Sequence, residues 1–298
     1  MKVSFLQVSY NSARCIASCL ESLRREAAGI EHEILFVDNG DGTTEALVRA
    51  HFPEVTVLPS RGNVGYGRGN NYLADHATGD LLVVINPDVT VLPGSLARLV
   101  ECAAARPDVA AFAPVLRGPG GALSSDCFLT PPFFLNLLAD LTGLRALYRK
   151  LVLAPRIGVE RAVGCTSGAF FALRTSAWRA LGGFDEGFFL YAEEMDLFMR
   201  MRAQGLAILR SPGVEVVHDV GSGQRGSFER LVYLCRGCMH FCRKHRPWPL
   251  AALAGVMLWL MTASRHVLRP GVRRPAEIRA FLWAIHPRRW WHGYGERG

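Results

Sequence analysis

The chain has 298 residues, half of them apolar and a fifth charged, a globular balance that excludes the disordered, collagenous, coiled-coil and polytopic membrane classes. Its net charge of +8 is unevenly spread, because from Arg236 onward 12 Lys or Arg stand against Glu277 and Glu296 alone. No nucleic-acid recognition motif accompanies this basic end, so it predicts an anionic membrane surface as partner and no nucleic acid. Eight cysteines without framework spacing, and an N-terminal apolar run broken by Ser4 and Gln7, predict a cytoplasmic chain with reduced thiols.

Apolar runs at residues 3–8, 34–37, 55–58 and 81–85 alternate with helix-length segments, which reads as repeated β-α units. The run 81–85 carries no polar alternation and predicts a central parallel strand covered on both faces. Ser12 is suited to cap a first helix, and Pro93 to open another that ends near Ala105, before Pro107. Residues 115–132, rich in Gly, Pro and Ser, predict a loop, and 133–153 one or two apolar helices. The α/β pattern then returns, with a strand near 167–173, a turn at Gly182-Gly183, a helix over 194–203 and strands near 206–217. From 226 the pattern is helical.

Ligands of such sheets bind at the C-terminal ends of the strands. Those ends lead into Tyr10-Asn11, Asp38-Asn39, Arg61-Gly62-Asn63 and Asn86-Pro87-Asp88. Pro87 ends ladder pairing and turns Asp88 over the sheet edge, where one carboxylate with substrate phosphates and water can hold Mg²⁺ or Mn²⁺. The stretch from Arg61 to Asn71, with Gly65 and Asn70 among its glycines and asparagines, lets a ligand approach the backbone, yet matches neither phosphate-binding fingerprint. His218 closes a strand and is a second candidate metal ligand.

Glu193, Glu194 and Asp196 open a helix, the end that carboxylates favour. At 100° per residue Glu194 shares the side of Leu197, Phe198 and Met201, whereas Glu193 and Asp196 point elsewhere, Asp196 towards Arg200 one turn on. A carboxylate on the apolar side is partly desolvated, with the raised pKa that a general base needs. Cys235, Cys238 and Cys242 fall on one helix face, which predicts packing rather than a zinc cluster with His240.

In order, Val8 to Ser12, Val37-Asp38-Asn39, Asn63 to Asn71, Asn86-Pro87-Asp88, and Gly182 to Glu186 leading to Tyr191 to Leu197 resemble family 2 glycosyltransferases of the GT-A fold, in the rhamnosyltransferase-like branch. The resemblance spans about residues 3–245. It implies a mostly parallel sheet flanked by helices over 1–225, with a nucleotide-binding half (1–114) and an acceptor half (115–225), followed by a helical extension (226–298). It implies an inverting transferase that moves a sugar, L-rhamnose as its dTDP derivative, from a nucleotide-diphosphate donor to a lipid-linked or cell-surface glycan. By that resemblance Tyr10 and Asp38 meet the base, Asn63 and Gly65 the nucleoside, with Asn11, Asn70 and Asn86 completing the donor set. Asp88 and His218 then hold the divalent metal, and Glu194, or Glu193 beside it, is the base. Three departures stand out: Glu194 in place of Asp, no Ser near Gly40, and Gly237 in place of Asn after Arg236. A non-catalytic nucleotide-sugar-binding scaffold of envelope glycan assembly and a nucleotidyltransferase remain open alternatives.

The apolar run 249–263 would reach about 23 Å as a helix, short of a hydrocarbon core of about 30 Å. With Trp248, Trp259, Trp283, Trp290 and Trp291 it predicts an anchor lying on the inner face of the cell membrane, or else a buried helix of a C-terminal subdomain.

Overall fold

The computed structural model describes residues 1–123, 160–219, 228–267 and 275–294, with the single positions 142, 144 and 147. The helices expected at 133–153 lie outside the described residues. The first half forms β1 (Val3–Ser9), α1 (Ile16–Glu26), β2 (His32–Asp38), α2 (Thr43–His51), β3 (Val55–Val57), α3 (Tyr66–His76), β4 (Leu81–Ile85), β5 (Val89–Val91), α4 (Ser95–Ala105) and β6 (Val109–Arg117). Beyond it come β7 (Arg161–Ala162), β8 (Phe170–Arg174), α5 (Thr175–Leu181), α6 (Glu193–Ala203) and β9 (Ala207–His218). The strands make one sheet in the order β3-β2-β1-β4-β8-β6-β9-β5, with β7 paired to β9.

The architecture is the expected α/β one, with β3, β2, β1, β4, β6 and β9 running the same way and β5, β7 and β8 opposed. Alternation decides which helices cover which face. Val3 and Phe5 of β1, and Leu81, Val83 and Ile85 of β4, meet α1 and α4, whereas Leu6, Val8, Leu82 and Val84 meet α3 and α6. Each such side chain contributes about 1.5–3 kcal/mol on burial. The strand β4 is covered on both faces as expected, but only β1 pairs with it in parallel; β8 runs antiparallel beside it.

Four local expectations differ. The first helix begins at Ile16, and it is the Ser12 carbonyl that accepts the Cys15 and Ile16 amides. Residues 115–117, expected in a loop, end β6, a strand hidden because residues 109–113 are mostly alanine. The segment 175–181 is a helix stopped by Gly182 and Gly183, both at positive φ. The region 206–217 forms one twelve-residue strand.

The C-terminal region is helical: α7 (Phe228–His245), α8 (Trp248–Val267), α9 (Pro275–Ala284) and a 3₁₀ turn (Pro287–Arg289). Cys235 and Cys238 pack with Met239, Leu258, Met261 and Trp290, and Cys242 with Phe188, Phe241 and Ala251. Burial pushes the Cys235 and Cys242 thiols up to about 12. The helix α8 is packed on one side and open on the other: Ala251, Ala254, Leu258 and Met261 are buried, while Trp248, Leu250, Leu253, Val256, Trp259 and Leu260 are exposed. Trp290 corrects the anchor reading, because it is fully buried, and Trp291 packs against Gly255. Among the described residues no helix is long and apolar enough to cross a membrane.

Candidate active site

The parallel strands deliver their C-terminal ends to one edge, with Ser9 opposite Asp38 in register, and Leu6 opposite Val84 just before the β4 end. Tyr10 is exposed there, and Asn11 holds a left-handed φ of 53°. Asp38 is buried, and its Oδ1 accepts the Gly40 amide at 2.9 Å while Oδ2 accepts the Glu45 amide at 3.2 Å. It therefore closes the turn into α2. The missing serine near Gly40 has a steric cause: a Cβ at Gly40 would stand 2.7 Å from Asn11 Oδ1.

Asn63 Oδ1 accepts the Gly65 amide at 3.3 Å, and Gly65, at φ +90°, would drive any Cβ to 2.4 Å from the Phe189 carbonyl. Asn70 is fully buried, with its amide donating to the Tyr66 carbonyl at 3.0 Å, so the structure places it inside the α3 packing rather than on the open edge. Asn86 takes the Ala169 carbonyl through its backbone amide at 2.9 Å, and its own buried Oδ1 makes no hydrogen bond among the described residues.

Asp88 and His218 do come together. The end of β9 is opposite Val89, and the His218 Nε2 lies 3.3 Å from Asp88 Oδ1. That Oδ1 is buried and makes no hydrogen bond among the described residues. A hard carboxylate oxygen beside an imidazole nitrogen fits Mn²⁺ or Mg²⁺, ions that take their other ligands from phosphate and water. No group of three or more His, Cys, Asp or Glu side chains suited to a metal occurs among the described residues.

Glu194 lies on the side of Leu197, Phe198 and Met201 as expected, half-buried against Gly168, but the opposite side of α6 is buried as well. Glu193 and Asp196, expected to point away, are buried. The helix is covered twice: Leu197, Phe198 and Met201 pack on the sheet, while α7 covers the other side, where Asp196 meets Lys244 at 2.6 Å and His245 at 2.7 Å as well as Arg200 at 2.8 Å. Burial would raise the Asp196 carboxyl, but hydrogen bonds from Lys244, Arg200 and His245 hold it below its ordinary value. The Glu193 carboxyl is pushed well above its ordinary pKa by burial and then by the Glu194 charge, which favours its protonated form. Glu194 is half-buried and lies against Gly168.

Tyr66 links the two groups of carboxylates. Its buried hydroxyl donates to the Gly168 carbonyl at 2.7 Å and is raised well above its ordinary pKa by burial, then by the charges of Glu193, Glu194 and Asp88. Sequence reasoning passed over Tyr66, whose signal was its place between Gly65 and Gly67. It also passed over Lys244, His245 and Tyr294, which lie in a region read as an appendage.

The strand edge, the Asp88-His218 pair and the acidic start of α6 set the chemistry, and comparison with known proteins decides the family. The profile described as glycosyl transferase family 2 matches residues 4–150. An N-acetylglucosaminyl-diphospho-decaprenol L-rhamnosyltransferase of Mycobacterium tuberculosis is 33% identical over 205 residues, which cover 62% of this chain and 66% of that one. The chain belongs to glycosyltransferase family 2 and is rhamnosyltransferase-like. It spans just under two thirds of the length of that mycobacterial relative. The rhamnosyltransferase WbbL of Escherichia coli is 22% identical over 236 residues, 76% of this chain and 87% of that one. A mannosyltransferase from Pyrobaculum calidifontis, solved with GDP-Man and Mn²⁺, superimposes with a TM-score of 0.57 at 19% identity, covering 97% of this chain and 82% of that one. The fold is therefore GT-A.

Proposed function

We propose that this family 2 member is an inverting glycosyltransferase that moves L-rhamnose from a nucleotide diphosphate to a hydroxyl of a lipid-linked glycan. The observation that carries the reading is the pairing of Asp88 with His218 at the end of β9, together with the action of Asp88, Glu193 and Glu194 on the same Tyr66 hydroxyl. An inverting displacement needs an acidic base and a charge-offsetting group about one sugar, because the acceptor attacks the anomeric carbon opposite the departing diphosphate. Tyr10 offers its exposed ring to the donor base, and the turn closed by Asp38 shapes that end of the pocket. Asp88 and His218 would hold a divalent ion, which when bound offsets the charge of the leaving diphosphate. Glu194, half-buried against Gly168, accepts the acceptor proton, and the raised pKa of Glu193 beside it limits the charge buried there. The sugar and the diphospho-polyprenol acceptor are suggested by the printed activity of the mycobacterial relative.

A panel of nucleotide sugars tests the donor. One of them, with dTDP-L-rhamnose expected, should raise the melting temperature by about 2–5 °C in Mn²⁺ and not without it. Release of pyrophosphate from a nucleoside triphosphate would instead establish nucleotidyl transfer.

The exposed apolar side of α8, beside Arg243, Arg246 and the exposed Trp248, supports a membrane-facing surface in this reading, with the inner leaflet as its partner. Leu253→Glu with Val256→Glu, both at exposed positions, should cut binding to vesicles containing anionic lipid by about tenfold or more and leave the fold intact. Equal co-sedimentation of the variant and the parent would remove the surface from the proposal.

A further inference from the structure

The turn that leads into the paired glutamates is built with unusual backbone. Tyr191 and Ala192 both adopt positive φ, 70° and 71°, directly before Glu193. Neither is a glycine, so surrounding contacts must hold them there.

Those contacts come from two sides. From the donor side, the Phe189 carbonyl accepts the Tyr66 amide at 2.9 Å, against Gly65. From the C-terminal region, the Tyr294 hydroxyl accepts the Leu190 amide at 3.1 Å, and its proton is shared between the Leu190 carbonyl and the Tyr233 carbonyl, the latter at 3.1 Å. Burial pushes that hydroxyl far up, so it remains a donor at every working pH, and the Glu193 charge also acts on it. Gly237 of α7 lies under the same turn; a Cβ there would come within 2.1 Å of the Tyr191 carbonyl, which accounts for glycine where an Asn was expected. Arg230 Nε donates to the Tyr191 hydroxyl at 2.9 Å, and Lys244 bonds Asp185 at 2.5 Å and Asp196 at 2.6 Å, gripping the segment at both ends.

We propose that Tyr294 is a positioning residue for sugar transfer: its hydroxyl locks the 188–192 turn and so aims the Glu193-Glu194 pair at the donor. The C-terminal region completes the active site from behind, 100 residues after the carboxylates it sets. This inference rests on the reading of those glutamates as the acceptor-side pair. Because the hydroxyl touches no reacting atom, its loss should appear in turnover and not in donor affinity.

The test is Tyr294→Phe in the full chain, which keeps the ring beside Phe189 and His240 and removes only the hydroxyl. Hydrogen exchange at the Leu190 amide should accelerate about tenfold or more while the α6 interior is unchanged. The kcat should fall roughly 10- to 100-fold with donor KM within about twofold. Should the Phe variant not fold, Arg230→Gln at an exposed position gives the second reading, with a kcat loss of about threefold and unchanged KM expected. A wild-type kcat in Tyr294→Phe overturns the proposal, with or without faster exchange, and so does a loss confined to KM. Failure of the underlying reading looks different: Glu193→Gln and Glu194→Gln would both retain full turnover, whereas the exchange rate at Leu190 reports the lock independently of any reaction.

Discussion

Glu194→Gln is expected to bind the nucleotide sugar within about twofold of the parent and to lose about two to four orders of magnitude in transfer, the usual contribution of a positioned general base. That loss corresponds to about 3–5 kcal/mol of transition-state stabilisation. Glutamine keeps the shape of the side chain against Gly168 but cannot take up the acceptor proton. The same change at Glu193 separates the two candidates. Glu193 is buried, and desolvation and its neighbour favour the protonated form of its carboxyl, so an amide there replaces one neutral group by another. Its turnover should fall much less. As the raised carboxyl would otherwise ionise at the cost of its burial when pH rises, Glu193→Gln should also gain stability at alkaline pH relative to the parent. Full transfer by Glu194→Gln, with loss confined to Glu193→Gln, would move the base by one residue.

Asp88→Ala should abolish the Mn²⁺-dependent part of donor binding, a drop of about 10²-fold or more in titration calorimetry. The residual, metal-independent binding from Tyr10 and the turn at Asp38 should persist. Asp88 stands in a turn between two paired strands, where the Asp219 amide donates to its carbonyl at 3.0 Å, so the backbone holds without the side chain. His218→Ala should give a weaker version of the same loss. A donor affinity that is equal with and without Mn²⁺ in the parent protein would refute the assignment for both residues.

Much of this molecule was legible from residue order because the chemistry sits at strand ends, and strand ends are marked. The break from Leu81–Ile85 into Asn86-Pro87-Asp88 announced both a buried strand and a carboxylate at its rim. The pairing of Asp88 with His218 was readable only as two separate strand ends, since nothing local says that β5 lies against β9. The burial of Glu193 and Asp196 was missed for a definite reason. A helical wheel assumes one buried side, and α6 has two, the second supplied by α7. For the same reason the tryptophans of the end region looked alike in sequence, although Trp290 is a core residue and Trp248 is open to solvent. Alanine-rich β6 lacked the branched side chains that mark a strand, and only its neighbours β8 and β9 make it one.

The order of the strands bears on how such enzymes diversify. Residues 115–225 do not sit beside residues 1–114 as a separate layer: β8 is threaded between β4 and β6, and β5 is sealed onto β9. Recombination that imported residues 115–225 from a cousin would have to restore the five β4-β8 pairs, from Leu81 opposite Arg174 to Ile85 opposite Phe170, along with those that tie β8 and β9 to β6 and β5, and would place Asp88 and His218 in different parental inheritances. New acceptor preference in this lineage should therefore arise through loop exchange and point change, with the sheet inherited whole.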